Sequence, residues 1–193
     1  MQRRAFLPAA IALAGAAGAA VGSVNSAHAQ TPAPCKGPDV VYEPTPLGVV
    51  ARMLEVAQVK AGDVVYDLGC GDARIVIAAA LRGARGVGFE IEPNLVQFAI
   101  ANVKAENLAD KVKVVQQDLF TADMSEASVI ALYLLPEMNT RLRPKFWKEL
   151  KVGSRVVANS FPISGWEPDR VFDVPTRYRH MYLYTVKAEH KRA

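Results

Sequence analysis

The sequence is short of the residues that several common chemistries require. Of its 193 residues, three are histidine and two are cysteine, which is too few for a zinc site or a disulfide framework. We expect Cys35 and Cys70 to be free thiols, and a single disulfide between them is the alternative. There is also no GxSxG segment, the turn that carries the nucleophile of many serine hydrolases. Hydrolysis by a bound metal or by an activated serine is therefore disfavoured.

A large excess of charge of one sign is missing as well. Lysine and arginine number 23 and aspartate and glutamate 19, so the formal net charge is +4, and it falls by two without Arg3 and Arg4. Such a small surplus gives no reason to expect nucleic acid as a partner. The length and the 51% share of apolar residues are instead typical of one globular domain.

The first 29 residues form a segment of their own. Residues 1–29 begin with Arg3-Arg4, continue uncharged and rich in alanine and glycine, and end in Ala27-His28-Ala29. These are the three parts of an export signal, and the arginine pair resembles the twin-arginine signal. We expect cleavage before Gln30, a flexible segment over residues 30–41 and residence in the bacterial periplasm. An uncleaved leader that anchors the chain in the inner membrane is the alternative.

No strongly apolar run that comes after this leader reaches the length of a membrane span. The longest, Ala127 to Pro136, has about half the residues that a bilayer demands. We therefore expect residues 42–193 to fold as one soluble domain.

Predicted strands and helices alternate along this domain. A first helix is expected from Pro46, with Thr45 as its cap and Leu47 on its buried face. The alternation of apolar strands with helices indicates an α/β fold, a single Rossmann-like, doubly wound and mostly parallel sheet with helices on both faces. The predicted strands are Val64–Leu68, Gly86–Ile91, Val112–Gln116, Val129–Leu134, Val156–Asn159 and Met181–Val186, and the later helices are Ile75–Leu81, Pro93–Glu106 and Pro136–Leu150.

The turn after the first strand is the most informative segment. Its two glycines, Gly69 and Gly71, let the backbone pass close to a ligand that a side chain would push away. Glu90 ends the next strand, 19 residues after Gly71, where a carboxylate is well placed to accept hydrogen bonds from ribose hydroxyls. Together these features predict a nucleoside ligand at the carboxyl edge of the sheet.

The charges around this turn indicate which nucleoside. Asp67 and Asp72 flank it and would repel a pyrophosphate, and Arg74 stands where a dinucleotide fingerprint has its third glycine. S-adenosylmethionine instead carries an ammonium and a sulfonium, and each close pair with a carboxylate is worth about 1 to 4 kcal/mol. Asp118 would then accept from the adenine amine, with Phe120 as an apolar wall. We expect S-adenosyl-L-methionine as the cofactor and disfavour a nicotinamide dinucleotide.

Several segments together resemble a known enzyme family. They are YEPTP from Tyr42, DLGCGDARIVIAAA from Asp67, GFEIEP from Gly88, QDLF from Gln117 and SFPISGWEPD from Ser160. The chain is similar in these segments to class I S-adenosylmethionine-dependent methyltransferases, and within them to the small protein-lysine methyltransferases related to the enzyme that methylates the ATP synthase c-subunit.

That resemblance implies roles for individual residues. It assigns Asp67, Gly69 and Gly71 to the methionine part of the cofactor, Glu90 to its ribose and Asp118 to its adenine. Cys70 and Leu119 are further candidate cofactor-binding residues. We also expect Tyr42 and Thr45 to help close the site, and a role in helix entry and capping alone is the alternative. Ala73 stands where the family has glycine, a substitution that a right-handed helical backbone would tolerate.

The acceptor is expected to be a lysine amine of a protein. The segment after the fourth predicted strand would line its slot, with Tyr133, Pro136 and Glu137 as the candidate catalytic residues. Methyltransferases of nucleobases and of glutamine carry an Asn or Asp, two prolines and an aromatic there, a pattern that is absent. A small-molecule methyltransferase and an exported nucleoside-binding module without catalysis are the alternatives.

Two further groups of residues have a purely structural interpretation. The basic run on the predicted helix Pro136–Leu150 could meet an acidic or membrane-embedded substrate, but a solvated helix face is the expected role. Trp147 and Trp166 are expected to belong to the core. The members of the basic run are Arg141, Arg143, Lys145, Lys148 and Lys151.

Overall fold

The computed structural model describes residues 42–174 and 180–192. The predicted leader 1–29, the segment 30–41 and Cys35 lie outside the described residues. The helices are α1 Leu47–Val56, α2 Arg74–Ala80, α3 Pro93–Ala105, α4 Pro136–Glu149 and a short 3-10 helix Ala188–Arg192, and the strands are β1 Val64–Leu68, β2 Arg85–Glu90, β3 Val112–Gln116, β4 Val129–Leu132, β5 Arg155–Asn159, β6 Arg170–Asp173 and β7 His180–Thr185.

The seven strands form one sheet in the order β3-β2-β1-β4-β5-β7-β6. Strands β1 to β5 pair in parallel, while β7 runs antiparallel to both β5 and β6. The chain builds outward from β1 in one direction as far as β3 and then returns to place β4 on the other side of β1. The boundary between β1 and β4 is thus the topological switch point, where open α/β sheets bind their ligands. The expected α/β class is confirmed.

Helices pack on both faces of this sheet, so both faces of the central strands are buried. Helices α1 and α2 cover the face to which Val65, Val129 and Val157 point, and α4 covers the face of Leu68, Leu132 and Ala158. Alternate residues of one strand therefore enter different cores, which is why these strands are continuous apolar runs. The parallel register sets Asp67 of β1 beside Ala131 of β4, and Leu132 of β4 beside Ala158 of β5.

The start of α1 differs from the sequence prediction. The helix begins at Leu47 with Pro46 as its cap residue, and no side chain caps it, so Thr45 is not the cap that we expected. Leu47 is 70% exposed rather than buried. Thr45 is itself buried, and its carbonyl oxygen accepts a hydrogen bond of 2.8 Å from Arg74 Nη1. The proline thus starts the helix one residue later and leaves Thr45 facing the turn after β1.

An ion pair braces the amino edge of the sheet. Arg155 at the start of β5 forms a salt bridge with Asp63, which precedes β1, and donates to the carbonyl oxygen of Ala57 at 2.6 Å. Asp63 also accepts from the hydroxyl of Ser128, which precedes β4, at 2.7 Å. Burial opposes the ionisation of Asp63, but these hydrogen bonds, that of the Lys60 backbone and the guanidinium outweigh it and hold its pKa below the ordinary value. Three strands and the end of α1 are joined at this edge.

The basic run on α4 is largely engaged within the chain itself. The Arg141 guanidinium lies 3.9 Å from the centre of the Phe120 ring, Arg143 stacks over Trp147, and Lys145 pairs with Glu149 at 2.6 Å. Trp166 belongs to the core beside α4, as expected. None of the helices within residues 42–174 and 180–192 has the length and apolarity to span a bilayer.

Candidate active site

The turn between β1 and α2 is pinned to the neighbouring strand by its backbone. The N–H groups of Gly69 and Cys70 both donate to the carbonyl oxygen of Phe89 in β2, at 2.8 and 2.9 Å. Gly69 has φ +80° and Gly71 φ +53°, values that side chains rarely permit. The two glycines therefore let the chain reverse tightly over the ends of β1 and β2.

Ala73 has a backbone that corrects one of our expectations. Its φ and ψ are +69° and +12°, the left-handed conformation, and not the right-handed helical one under which alanine would replace glycine without strain. Ala73 is fully buried, and its N–H donates to the Cys70 carbonyl oxygen at 2.8 Å. The turn thus keeps the glycine-type geometry even though a methyl group is present.

Glu90 holds the turn from the end of β2. Its Oε2 accepts from the Gly71 N–H at 2.9 Å, and its Oε1 accepts from the N–H groups of Ile91 and Glu92 at 2.8 and 3.1 Å. A carboxylate has about four acceptor positions, so three backbone donors leave roughly one for a ligand hydroxyl. Glu90 is thus both a candidate ligand residue and a structural support of the turn.

Asp67 is a buried acid surrounded by other acids. Its side chain is 3% exposed at the end of β1. Burial raises its pKa well above the ordinary value of 3.8, and the negative charges of Glu90 and Asp72 raise it further. A cation bound here would reverse that balance, because it would stabilise the ionised carboxylate.

Asp72 is neutralised by its own neighbour. Arg74 donates to both of its carboxylate oxygens, with Nε at 2.8 Å from Oδ1 and Nη2 at 2.5 Å from Oδ2. Burial disfavours the charge of Asp72, but the hydrogen bonds and charge of Arg74 outweigh it, so its pKa lies below the ordinary value. Asp67 and Glu90 are therefore the acidic side chains around the turn that Arg74 does not neutralise.

Tyr42 lies directly on Gly71. A Cβ atom at Gly71 would come within 2.0 Å of the tyrosine ring. Burial and the nearby charge of Asp72, to which the side chain is hydrogen-bonded, raise the pKa of Tyr42. The cavity beneath has a volume of about 30 Å³ and is lined in part by Thr45, Asp67 and Tyr133. Only one or two water molecules fit such a volume.

The three candidates for the acceptor slot occupy different places. Tyr133, directly after β4, reaches the cavity that Asp67 lines. Pro136 is the first residue of α4, and Glu137 is exposed in the first turn of that helix. Neither of these two lines the cavity, so the structure brings only Tyr133 to the acidic turn.

Asp118 and Leu119 come directly after β3 in a turn. The Oδ1 atom of Asp118 accepts from the Phe120 N–H at 2.9 Å, and its carbonyl oxygen accepts from the Thr121 N–H at 2.9 Å. Asp118 is thus the first residue of a turn that its side chain stabilises. Leu119 and Phe120 pack against the core on the α4 side.

Cys70 is a buried, unpaired thiol. Burial raises its pKa, and the charges of Asp67 and Glu90 raise it further, so it is not a nucleophile at neutral pH. Its Sγ atom fills the space over Gly88, where an added Cβ would come within 2.6 Å of it. The thiol therefore serves as a packing group between the turn and β2.

Sequence reasoning missed one polar side chain at this edge. Asn159 ends β5 and is fully buried, and within the described part of the chain neither atom of its carboxamide has a hydrogen-bond partner. The available signal was an asparagine that ends the apolar run Val156-Val157-Ala158. An asparagine at the end of an apolar run is usually a turn residue, so the sequence alone did not identify Asn159 as a candidate site residue.

Comparison with known proteins adds a family and its activity. Residues 67–170 match the family model described as the ANTKMT methyltransferase domain. The chain is 44% identical over 158 residues to a protein-lysine N-methyltransferase of Saccharolobus islandicus, covering 80% of this chain and 98% of that one. It is 32% identical over 130 residues to the human lysine N-methyltransferase of the ATP synthase c-subunit, covering 67% of this chain and 55% of the human one.

One solved structure that is similar to this chain is named for methylation of RNA and not of lysine. It is described as an RNA methyltransferase from Salinibacter ruber in complex with S-adenosyl-L-homocysteine. The identity is 50%, the TM-score is 0.73, and the match covers 76% of this chain and 95% of that one.

Proposed function

The chain belongs to the ANTKMT methyltransferase domain family and is an S-adenosylmethionine-dependent methyltransferase, and from this premise we propose that its acceptor is a lysine side-chain amine of another protein. The observation that carries the proposal is the 44% identity to a protein-lysine N-methyltransferase that matches over 98% of its length. The small-molecule and non-catalytic alternatives gain no support from these relatives.

The residues around the turn after β1 fit this cofactor. The two carboxylates that Arg74 leaves unneutralised, Asp67 and Glu90, suit a ligand with an ammonium and a sulfonium and would repel a phosphorylated one. When bound, S-adenosylmethionine supplies a methyl group that its sulfonium makes electrophilic. We assign Asp67 and Gly69 to its methionine part and Glu90 to its ribose.

Asp118 and Leu119 are assigned to the adenine. In support, only Oδ1 of Asp118 has a hydrogen-bond partner within the described residues, so Oδ2 can accept from an amine. Tyr42 and Thr45 are assigned to closure of the site over Gly71, consistent with the contact between Tyr42 and that glycine.

The chain must also supply a place where a lysine amine loses its proton. From an ordinary pKa of about 10.4, deprotonation at pH 7 costs roughly 4.6 kcal/mol. A slot that excludes water lowers this cost, because burial disfavours the ammonium form. We assign the slot to the β4 side of the switch point, with Tyr133 at its wall, beside the cavity that Asp67 lines. In-line alignment of the two reactants there requires no covalent nucleophile.

The Salinibacter ruber protein favours RNA as a second candidate acceptor. Against it stands the net charge of this chain, +4 before any cleavage, which gives little attraction to phosphates. Both candidates are therefore included in one experiment.

The test supplies tritiated S-adenosylmethionine and the purified protein with total protein and total RNA from the host, each treated with ribonuclease or with protease. We expect protease-sensitive label that amino-acid analysis identifies as methyllysine. The Asp67→Asn variant is the control for label that does not depend on the site. Label that is sensitive only to ribonuclease would replace lysine by RNA as the acceptor.

We propose, separately, that residues 1–29 direct export to the periplasm. The arginine pair, the alanine-rich middle and the Ala27-His28-Ala29 ending support this proposal. Mass spectrometry of the protein from periplasmic, membrane and cytoplasmic fractions tests it, with an N-terminus at Gln30 in the periplasm as the expected result. An intact leader in the membrane fraction would support the anchored form, and an intact leader in the cytoplasm would refute export.

A further inference from the structure

Asn159 is a buried amide that the fold leaves unsatisfied. Its side chain is 0% exposed, and among residues 42–174 and 180–192 neither Oδ1 nor Nδ2 has a hydrogen-bond partner. Buried polar groups are nearly always hydrogen-bonded in folded proteins, because burial without a partner costs free energy. A donor and an acceptor that both remain unused at the carboxyl edge of a sheet point to a ligand that supplies the partners.

The register places this carboxamide on the same face of the sheet as Asp67. Val157 points into the core beneath α1, so Asn159, two residues later, points to that face as well. Ala131 of β4 and Tyr133, directly after β4, share this face, and Asp67 of β1 lies beside Ala131. Asp67, Tyr133 and Asn159 thus lie in succession across β1, β4 and β5 at the carboxyl edge of the sheet, where open α/β sheets bind their ligands.

The switch point divides these side chains between the two reactants. Asp67 lies on the β1 side, with the residues that fit the cationic cofactor. Asn159 ends β5, two strands away from β1. Strand β4, which Tyr133 follows, lies between them. The acceptor must reach the methyl group from the side that the cofactor does not occupy, and that side contains Asn159.

On the basis of the proposed function, we propose that the Asn159 carboxamide binds the acceptor lysine amine. Its Oδ1 accepts an N–H of the neutral amine, which turns the nitrogen lone pair toward the methyl carbon. The nitrogen–carbon bond forms as the carbon–sulfur bond breaks, and the electron pair of that bond stays on sulfur, which becomes the neutral thioether. The methylated amine carries the positive charge and releases one proton to water.

A carboxamide suits this role better than a carboxylate. A negative charge beside the amine would favour its ammonium form and remove the lone pair that must react. The neutral amide orients the amine without holding its proton. On this face the titratable groups of the neighbouring elements include Asp67 of β1, Tyr133 after β4 and Arg52 of α1, whose guanidinium lies 5.5 Å from the centre of the Phe172 ring. His180 lies on the opposite face of β7 and pairs with Asp173 at 3.1 Å.

The first variant is Asn159→Leu, which keeps the number and branching of the side-chain heavy atoms and removes the polar ones. If the amide awaits a ligand, the free protein gains stability, and the melting temperature rises by a few degrees. The calorimetric Kd of S-adenosylhomocysteine stays within twofold, while lysine methylation in host protein extract slows at least tenfold. Asn139→Leu is the comparison variant, because Asn139 is equally buried and its Oδ1 also lacks a partner, but its Nδ2 donates to the Phe161 carbonyl oxygen at 3.1 Å, so its melting temperature should fall.

The second variant is Asn159→Asp, which keeps the shape and adds a charge. We expect its lysine methylation rate to reach its plateau at higher pH than that of the wild type, since the carboxylate holds the amine proton. A lower melting temperature together with weaker S-adenosylhomocysteine binding in Asn159→Leu would assign a structural role instead. Wild-type methylation rates in that variant, or an unshifted pH profile in Asn159→Asp, would equally overturn the proposal. Failure of the wild type itself to label lysine would instead refute the proposed function, and with it the lysine role of Asn159.

Discussion

The Glu90 carboxylate and the Gly71 backbone N–H are joined by a hydrogen bond of 2.9 Å that ties the end of β2 to the turn after β1. Since Glu90 also accepts from two further backbone groups, the side chain that we assign to the ribose is also the one that supports the turn. Loss of this residue should therefore affect stability and cofactor affinity together.

We predict that Glu90→Gln weakens binding of S-adenosylhomocysteine at least tenfold and lowers the free energy of unfolding by about 1 to 3 kcal/mol. The amide places an NH2 group against backbone donors that the carboxylate satisfied. Calorimetry and urea unfolding measure the two effects. Glu92→Gln is the control, because it removes the same charge two residues away at the cap of α3 and should change affinity less than twofold. Equal losses in both variants would contradict the prediction.

The raised pKa of Asp67 predicts a pH-dependent cofactor affinity. Burial and the neighbouring acids raise the pKa of Asp67 in the free protein, and a bound cation would lower this pKa because it stabilises the ionised carboxylate. Affinity for S-adenosylmethionine should therefore rise with pH as Asp67 ionises, and Asp67→Asn should make it weak and nearly independent of pH. Calorimetry in buffers of different ionisation enthalpy should also detect proton release on binding by the wild type. A flat profile in the wild type would refute this prediction.

The raised pKa of Asp67 also predicts that the stability of the cofactor-free protein falls as the pH rises, whereas the cofactor affinity increases. A carboxyl whose pKa is raised on folding stabilises the folded state while it is protonated, and this contribution is lost as the pH rises through the folded-state pKa. Asp67→Asn should therefore melt at a higher temperature than the wild type at neutral pH, without cofactor, and the difference should shrink toward acidic pH. Scanning calorimetry at several pH values measures it, and a variant less stable at every pH would argue against the shift.

Gly71→Ala should abolish cofactor binding, because the added methyl group meets both a left-handed backbone and the Tyr42 ring. Gly62→Ala is the matched control, with φ +89° but no atom within 4 Å of the added Cβ. The control should lose about 1 kcal/mol of stability and keep its affinity. Thermal melts and calorimetry separate the steric effect from the conformational one, and similar affinities in the two variants would contradict the contact with Tyr42.

Much of the fold could be predicted from the sequence, because its central strands are apolar runs bounded by turns. Strands β1 and β3 have the predicted bounds, and the predicted helices after α1 differ by one residue at their ends. Strand β6 escaped prediction because it is a four-residue edge strand with three exposed residues. A short polar edge strand lacks the periodicity that identifies buried ones.

The part of the candidate site that could be predicted consists of residues whose type and position at strand ends indicate their role. Asp67, Gly71 and Glu90 come together as expected, because the carboxyl ends of parallel strands meet at one edge. The left-handed backbone of Ala73 was not predictable, since a methyl group does not reveal its φ angle. The unsatisfied amide of Asn159 was equally hidden, because a missing hydrogen bond is a property of the packed structure.

The salt bridge between Arg155 and Asp63 lies at the rim of the sheet farthest from the reacting groups. The ion pair that stabilises the fold and the proposed site of methyl transfer thus lie at opposite edges of the sheet. Substitutions around the ion pair should therefore change the thermal stability of the fold more than the rate of methyl transfer. An engineer who needs a hardier biocatalyst should begin at that rim.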